Sequence, residues 1–170
     1  NKVNKIISDV LYAGDCLRMY DKGDGDYSEI EKLWLAFSNR KKNYDQIRFI
    51  DVDGNEVVRV NYVNNGALLV KKEDLQNKKD RYYFTDTIDL AENQIYISML
   101  DLNVENDVIE EPIKPVLRVS MPYFSQEGKL KGIVILNYAA EDMLEQVKEV
   151  ASSSNGDIFM LNEEGYWLFD

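Results

Sequence analysis

The chain has 170 residues, 45% of them apolar and 30% charged, a composition that supports one hydrophobic core with a partial second module and excludes wholesale disorder. Lys and Arg total 20 against 31 Asp and Glu, and the resulting net charge of -11 opposes approach to a phosphate backbone and disfavours broad adsorption to an anionic membrane. With no histidine the chain lacks the commonest general base and transition-metal ligand, which excludes the usual hydrolase triads, and its one cysteine, Cys16, cannot form an intrachain disulfide.

Residues 2 to 20 place Val3, Ile6, Ile7, Val10, Leu11, Leu17 and Met19 near helical spacing, which predicts an amphipathic helix with Cys16 as a packed thiol on its apolar face. The acidic run DKGDGD at 21 to 26 breaks the pattern. It lacks the closing glutamate of a calcium loop and is expected to be a solvated loop. A second helix is expected over 28 to 40, with Ile30, Leu33, Trp34 and Phe37 on one face.

The stretch IRFIDVDGNEVVRV, residues 47 to 60, sets three acids around a glycine. As a calcium loop it fails: Gly54 comes too early, and Val57 and Val58 stand where oxygen ligands should be. A β-hairpin with an Asp-Gly tip fits instead, with strands over 46 to 52 and 56 to 63 and a weaker one over 67 to 70. The charged KKEDLQNKKDR then leads into RYYFTDTIDL, whose aromatic and apolar residues recur every three to four, and QIYISML at 94 to 100 is expected to be strand.

An exposed loop is expected over 103 to 114, followed by PVLRVSMPYF (115 to 124) and LKGIVILNY (130 to 138) as two strands of a hairpin. These segments predict an antiparallel sheet of about five strands. A helix of about a dozen residues comes next, in AAEDMLEQVKEVASSS, with Met143, Leu144, Val147 and Val150 in register. DIFMLNEEGYWLFD then repeats the first hairpin displaced by 111 positions, Ile47 falling on Ile158, Phe49 on Met160, Ile50 on Leu161 and Gly54 on Gly165. A terminal hairpin is marginal alone and must pack on something. No apolar run is long enough to span a bilayer, and a chain that opens inside a helix and closes on a strand is expected to be a piece of something longer.

Strand alternation puts Arg118 and Ser120 on one face and Leu117, Val119 and Met121 on the other, while Asn137 shares a face with Ile133 and Ile135. If Arg81 and Arg118 line one cavity, they suit a carboxylate or another small anion; each could equally pair with a local acid such as Glu110 or Asp101. Of the 11 tyrosines, Tyr83 is singled out because it stands beside Arg81. A catalytic reading would have to use Asp101 with Glu105, and nothing places a nucleophile or oxyanion site beside them.

Taken in order, the long first helix, the Asp-Gly hairpin, DLQNKKDRYYF, QIYISMLDLN, IEEPIKPVLRVSMPYF and GKLKGIVILNY resemble the extracytoplasmic double Cache, or PDC, sensors of receptor kinases, across nearly the whole chain. The resemblance implies an α+β fold: a PAS-like antiparallel sheet backed by the N-terminal helix. It also implies transmembrane helices at both ends, and a non-catalytic domain that passes ligand occupancy to a cytoplasmic kinase, cyclase or chemotaxis module. Helices over 1 to 43 would precede a membrane-distal module over 44 to 138, a connecting helix over 139 to 156, and the first hairpin of a membrane-proximal module over 157 to 170.

The ligand in such sensors sits between the sheet and a crossing segment, here about 76 to 98. Members that bind amino acids carry an Arg-x-aromatic-aromatic motif, matched by Arg81, Tyr83 and Phe84. They also carry two aspartates where this chain has Asn103 and Asn137, and an amide does not neutralise a ligand ammonium as a carboxylate does. The expected ligand-binding set is Arg81, Tyr83, Asp101, Asn103, Arg118, Ser120 and Asn137, for a small and anionic organic molecule, with no metal or cofactor. A homodimer through the first helix is compatible with its apolar stripe. The rival expectation is a module without a small-molecule ligand that docks a protein through the acidic loop at 103 to 114.

Overall fold

The computed structural model describes residues 2–111, 114–153, 160–161 and 167–169. In chain order the elements are α1 (Lys2–Tyr20), α2 (Ser28–Lys41), β1 (Tyr44–Asp51), β2 (Glu56–Val63), β3 (Gly66–Leu69), α3 (Tyr82–Ile88), β4 (Tyr96–Ile97), β5 (Asp101–Leu102), β6 (Val104–Glu105), β7 (Val108–Ile109), β8 (Pro115–Phe124), β9 (Leu130–Ala139), α4 (Glu141–Ser152), β10 (Met160–Leu161) and β11 (Trp167–Phe169). They form two compact units, Asn1–Ile97 with Arg118–Tyr138, and Ser98–Leu117 with Ala139–Asp170.

The first unit is built on an antiparallel sheet in the order β3-β2-β1-β9-β8-β4. Its helix-side face carries Phe49, Val58, Val60, Val119, Met121, Tyr123, Val134 and Leu136, all buried. Against it lie α1, through the buried Ile6, Val10, Ala13 and Leu17, and α2, through Ile30 and Trp34. Each such side chain contributes roughly 1.5–3 kcal/mol by leaving water. Gly14 brings α1 close to the sheet, its Cβ position lying 3.4 Å from Met121 Sδ. The α1 stripe runs through 6, 10, 13 and 17 at a true helical period, so Met19, expected on it, is instead solvent-facing at 68% exposure.

Two tyrosines fasten α1 to the sheet. The Tyr44 hydroxyl donates to Asp9 Oδ2 at 2.6 Å, and that of Tyr123 donates to Asp21 Oδ2 at 2.8 Å. Cys16 is a buried free thiol, and burial raises its pKa. Helix α2 ends on Lys42 in the left-handed region, whose N–H returns to Ser38 O at 2.9 Å, and its acids Glu29 and Glu31 and bases Arg40 and Lys41 complement the helix dipole.

Two β-bulges decide which face each side chain of β1 and β2 occupies. Tyr44 pairs with Tyr138 and Gln46 with Asn137, so the extra residue Asp45 lets Tyr44 face the helices while Gln46 faces the other way. Likewise Phe49 pairs with Val58 and Ile50 with Glu56, and the extra residue Val57 moves Glu56 to the side opposite Val58.

In the second unit, β5 pairs with the start of β8, and β6 and β7 form a small ribbon closed by Asn106 and Asp107, both at positive φ. The stretch expected to be a loop over 103 to 114 is therefore partly hairpin, because Asn and Asp tolerate the left-handed region that a two-residue turn needs. The strand expected over 94 to 100 is reduced to Tyr96 and Ile97. β10 and β11 pair antiparallel, Met160 with Phe169 and Leu161 with Trp167. Ile158 and Gly165 of the repeat, and the side chains of Val147 and Val150, lie outside the described residues. Among the described residues no helix is long and apolar enough to cross a membrane.

Candidate functional site

The Asp-Gly tip of the first hairpin is a mounting point. Asp51 Oδ1 accepts from the backbone amides of Asp53 and Asn55, both at 2.9 Å, so its carboxylate holds the turn. Among the described residues no cluster of acids or cysteines could hold a metal ion. Gly54 sits at φ 84 with its Cβ position 2.6 Å from Lys79 Cα, so only glycine lets the crossing segment pass this close. Lys78 N donates to Gly54 O at 2.7 Å and Asn77 Nδ2 donates to Asp53 O at 3.1 Å.

From that mount the chain enters α3, which covers the second face of the sheet. Tyr83 and Phe84 pack on Ile50, Ile133 and Ile135, with Tyr82, Ile88 and Tyr96 at the margin. The rest of this face is polar. Arg48, only 2% exposed, donates from Nη1 to the Tyr83 hydroxyl at 3.1 Å and from Nη2 to Asn137 Oδ1 at 3.0 Å. Asn137 Nδ2 donates in turn to Gln46 Oε1 at 3.3 Å.

Glu56 is the carboxylate of this network. It meets Arg48 Nη1 at 3.4 Å and Arg59 Nη1 at 3.5 Å, and accepts from Gln76 N at 3.1 Å. Arg118, 1% exposed, donates from Nη1 to the Tyr82 hydroxyl at 2.8 Å, and its guanidinium lies over both rings, 5.8 Å from the Tyr82 centroid and 5.1 Å from that of Tyr83. The half-buried Arg81 stacks on Tyr83 at 5.6 Å. Ser120 and Thr87, both fully buried, share a hydrogen bond of 2.7 Å between their hydroxyls.

Of the expected residues, Arg81, Tyr83, Arg118, Ser120 and Asn137 thus lie in one unit on one side of its sheet. Asp101 and Asn103 belong to the second unit. There Asp101 Oδ1 accepts from Leu102 N at 2.8 Å, and Asn103 Nδ2 donates to Glu110 Oε2 at 2.6 Å, while Glu110 Oε1 meets Lys114 Nζ at 2.8 Å. Sequence reasoning missed Arg48, Glu56, Tyr82, Thr87 and the buried Lys78. Arg48 and Arg59 did carry a signal: each is a cation set within an otherwise apolar strand run, Ile47 and Phe49 around one, Val58 and Val60 around the other. Glu56 carried none, because plain alternation assigns it to the face of Val58.

Arg48, Arg59, Lys78 and Arg118 are buried cations, and the buried carboxylate of Glu56 meets the first two. Tyr83 reports the consequence. Burial alone would raise its pKa, yet Arg48, with its hydrogen bond, and then Lys78 and Arg118 outweigh burial and lower it. The Tyr83 hydroxyl thus sits among cations on the side of the sheet that α3 covers.

The family described as "Bacterial histidine kinase, sensor domain" matches residues 15–170. The chain belongs to this family of sensor domains. Its fold recurs in solved structures. A domain of a protein classed as sensory box/GGDEF family, from Vibrio parahaemolyticus, has a TM-score of 0.74 at 23% identity, over 99% of this chain and 66% of that one. The extracellular domain of a protein classed as a histidine kinase, vpHK1S-Z8, has 0.73 at 23%, over 99% and 63%. The ligand-binding domain of the Campylobacter jejuni chemoreceptor Tlp3, solved with L-valine, has 0.65 at 12%, over 96% and 61%. The sensor domain thus spans less than two thirds of the chains whose fold it shares. None of the curated protein sequences compared matches it significantly. The resemblance to PDC sensors and the α+β, PAS-like architecture expected from it hold at the level of family and fold.

Proposed function

We propose that this sensor domain is the extracytoplasmic part of a transmembrane receptor, and that it binds a small organic anion between the sheet and the crossing segment at 76 to 98. The observation that carries the reading is the pair of buried guanidinium groups at Tyr83: Arg48 Nη1 donates to its hydroxyl at 3.1 Å and Arg118 lies 5.1 Å from its ring centroid. A carboxylate entering beside these side chains would accept charge-assisted hydrogen bonds in a setting of low dielectric, where such bonds are strong. Arg118 and Arg81 present guanidinium groups beside aromatic rings, a setting that suits a planar carboxylate.

Tlp3, whose fold this domain shares, has been solved with valine and isoleucine. An α-ammonium would meet a different reception here. Asn137 is already engaged with Arg48 and Gln46, and three cations stand close by. A carboxylate without an amino group is therefore the favoured class. In this reading 44 to 138 is the membrane-distal module and 157 to 170 begins a membrane-proximal one, with a kinase or comparable output carried by other parts of the receptor.

The test is a melting-shift screen of organic acids, amino acids and sugars, run on the wild type and on Arg118→Gln. An organic acid should raise Tm in the wild type, by about 2.7 kcal/mol of stabilisation at a hundredfold excess over Kd, and do so far less in the variant. Stabilisation by sugars or amino acids alone, or stabilisation indifferent to Arg118, would overturn the anionic reading.

A further inference from the structure

On the outer edge of the same unit, β2 and β3 border a groove of about 310 Å³ lined by Arg59, Asn61, Leu69, Val70, Lys71 and Asp74 among others. That is within the range of small-ligand sites. It lies at the edge of the sheet, since β3 ends the strand order. We propose that this groove is a second ligand site, for a small carboxylate with a short aliphatic tail, adjoining the cluster around Tyr83 through Arg59 but lined by neither Tyr83 nor Arg118.

The chemistry follows from its walls. Arg59 is 5% exposed and is held in place by its Nε donating to Asn61 Oδ1 at 2.9 Å and by Glu56 at 3.5 Å, so its planar donor group is preorganised where the groove begins. Lys71, exposed, adds a second positive charge, and the strand and its sequel supply Leu69 and Val70 as an apolar wall. A carboxylate head on Arg59 and Lys71 with a few methylenes against that wall satisfies both kinds of surface. Asp74, exposed at the mouth, is the one acid in the lining and opposes the head group.

Sodium butyrate is a suitable probe, titrated into the isotopically labelled 170-residue chain with chloride holding ionic strength constant. The Arg59 Nε–H and the backbone amides of Leu69, Val70 and Lys71 should shift and saturate. Butyrate, two methylenes longer than acetate, should bind about fifteenfold tighter, the gain expected from burying both. Lys71→Gln should weaken binding and Asp74→Asn should tighten it; both side chains are at the surface, so neither variant threatens the fold. Arg118→Gln, which disables the central cluster, should leave this titration unchanged. Linear, unsaturating shifts, indifference to Lys71 and Asp74, no advantage of butyrate over acetate, or loss of the effect in Arg118→Gln would each overturn the proposal. The last would place the butyrate at the central cluster.

Discussion

Neutralising Glu56 should be costly to the fold and at the same time favourable to anion binding. In Glu56→Gln the amide still accepts from Gln76 N, but the two guanidinium groups at 3.4 and 3.5 Å lose their buried carboxylate. Removing one member of a buried ion pair typically costs 3–5 kcal/mol. Both contacts are long and one hydrogen bond survives, so the low end applies, about 3 kcal/mol, or roughly 6–12 °C in Tm for a chain of this size. Thermal unfolding followed by circular dichroism at neutral pH measures the loss, and the same melts with an organic acid measure the gain. The ligand-induced shift should grow, because the site has become more positive. A generic packing defect would weaken both. A drop below about 2 °C, or a ligand shift that shrinks along with stability, would refute the view that Glu56 neutralises these arginines.

Three further outcomes follow from the same contacts. Tyr44 and Tyr123 are pushed well above the ordinary phenol value of 10.0, first by burial and then by the Asp9 and Asp21 carboxylates, so their contribution is complete below that pH and is lost as pH rises beyond it. Tyr83 is drawn below 10.0 and has the opposite sign, giving nothing at neutral pH and gaining as pH climbs from its folded value towards 10.0. Tyrosinate absorbance with Tyr83→Phe and Tyr44→Phe controls should assign the earliest ionisation to Tyr83; its titrating with or after the others would contradict the electropositive site. Thr87→Val removes the partner of the fully buried Ser120 hydroxyl and should cost about 1–3 kcal/mol by urea denaturation, with Thr87→Ser recovering most of it. Gly132→Ala should cost at least about 3 kcal/mol in the same assay, since φ is 148 and an added Cβ would collide with the Ile50 carbonyl; a loss under about 1 kcal/mol would mean that the β1–β9 approach is looser than described.

Much of the central cluster was legible residue by residue. Arg118 and Ser120 alternate against Leu117 and Val119 along an undisturbed strand, so their shared face could be derived from period two alone. Tyr83 was singled out by its place beside Arg81, and Phe84 by the Arg-x-aromatic-aromatic motif of the resemblance. Arg48 was available in principle, as a cation in the middle of an apolar run, but an arginine in a strand is as often at a solvent edge as inside. Glu56 was not available. The bulge at Val57 inverts its face, and a bulge is set by how β1 and β2 register under the crossing segment, which no local pattern encodes.

The sequence by itself determined the types of the longer elements, the hairpin at Asp53 and Gly54, and the apolar stripes that place helices against the sheet, because these depend on periodicity and turn chemistry within a few residues. Tertiary structure alone decided that the Asp-Gly turn anchors the crossing segment, that two tyrosines tie α1 to the strands, and that Arg48 and Arg59 meet at one glutamate. Those contacts join residues up to 106 positions apart, as between Tyr123 and Leu17, and charges that far apart in the chain become neighbours only when burial of the apolar faces has fixed the register between strands.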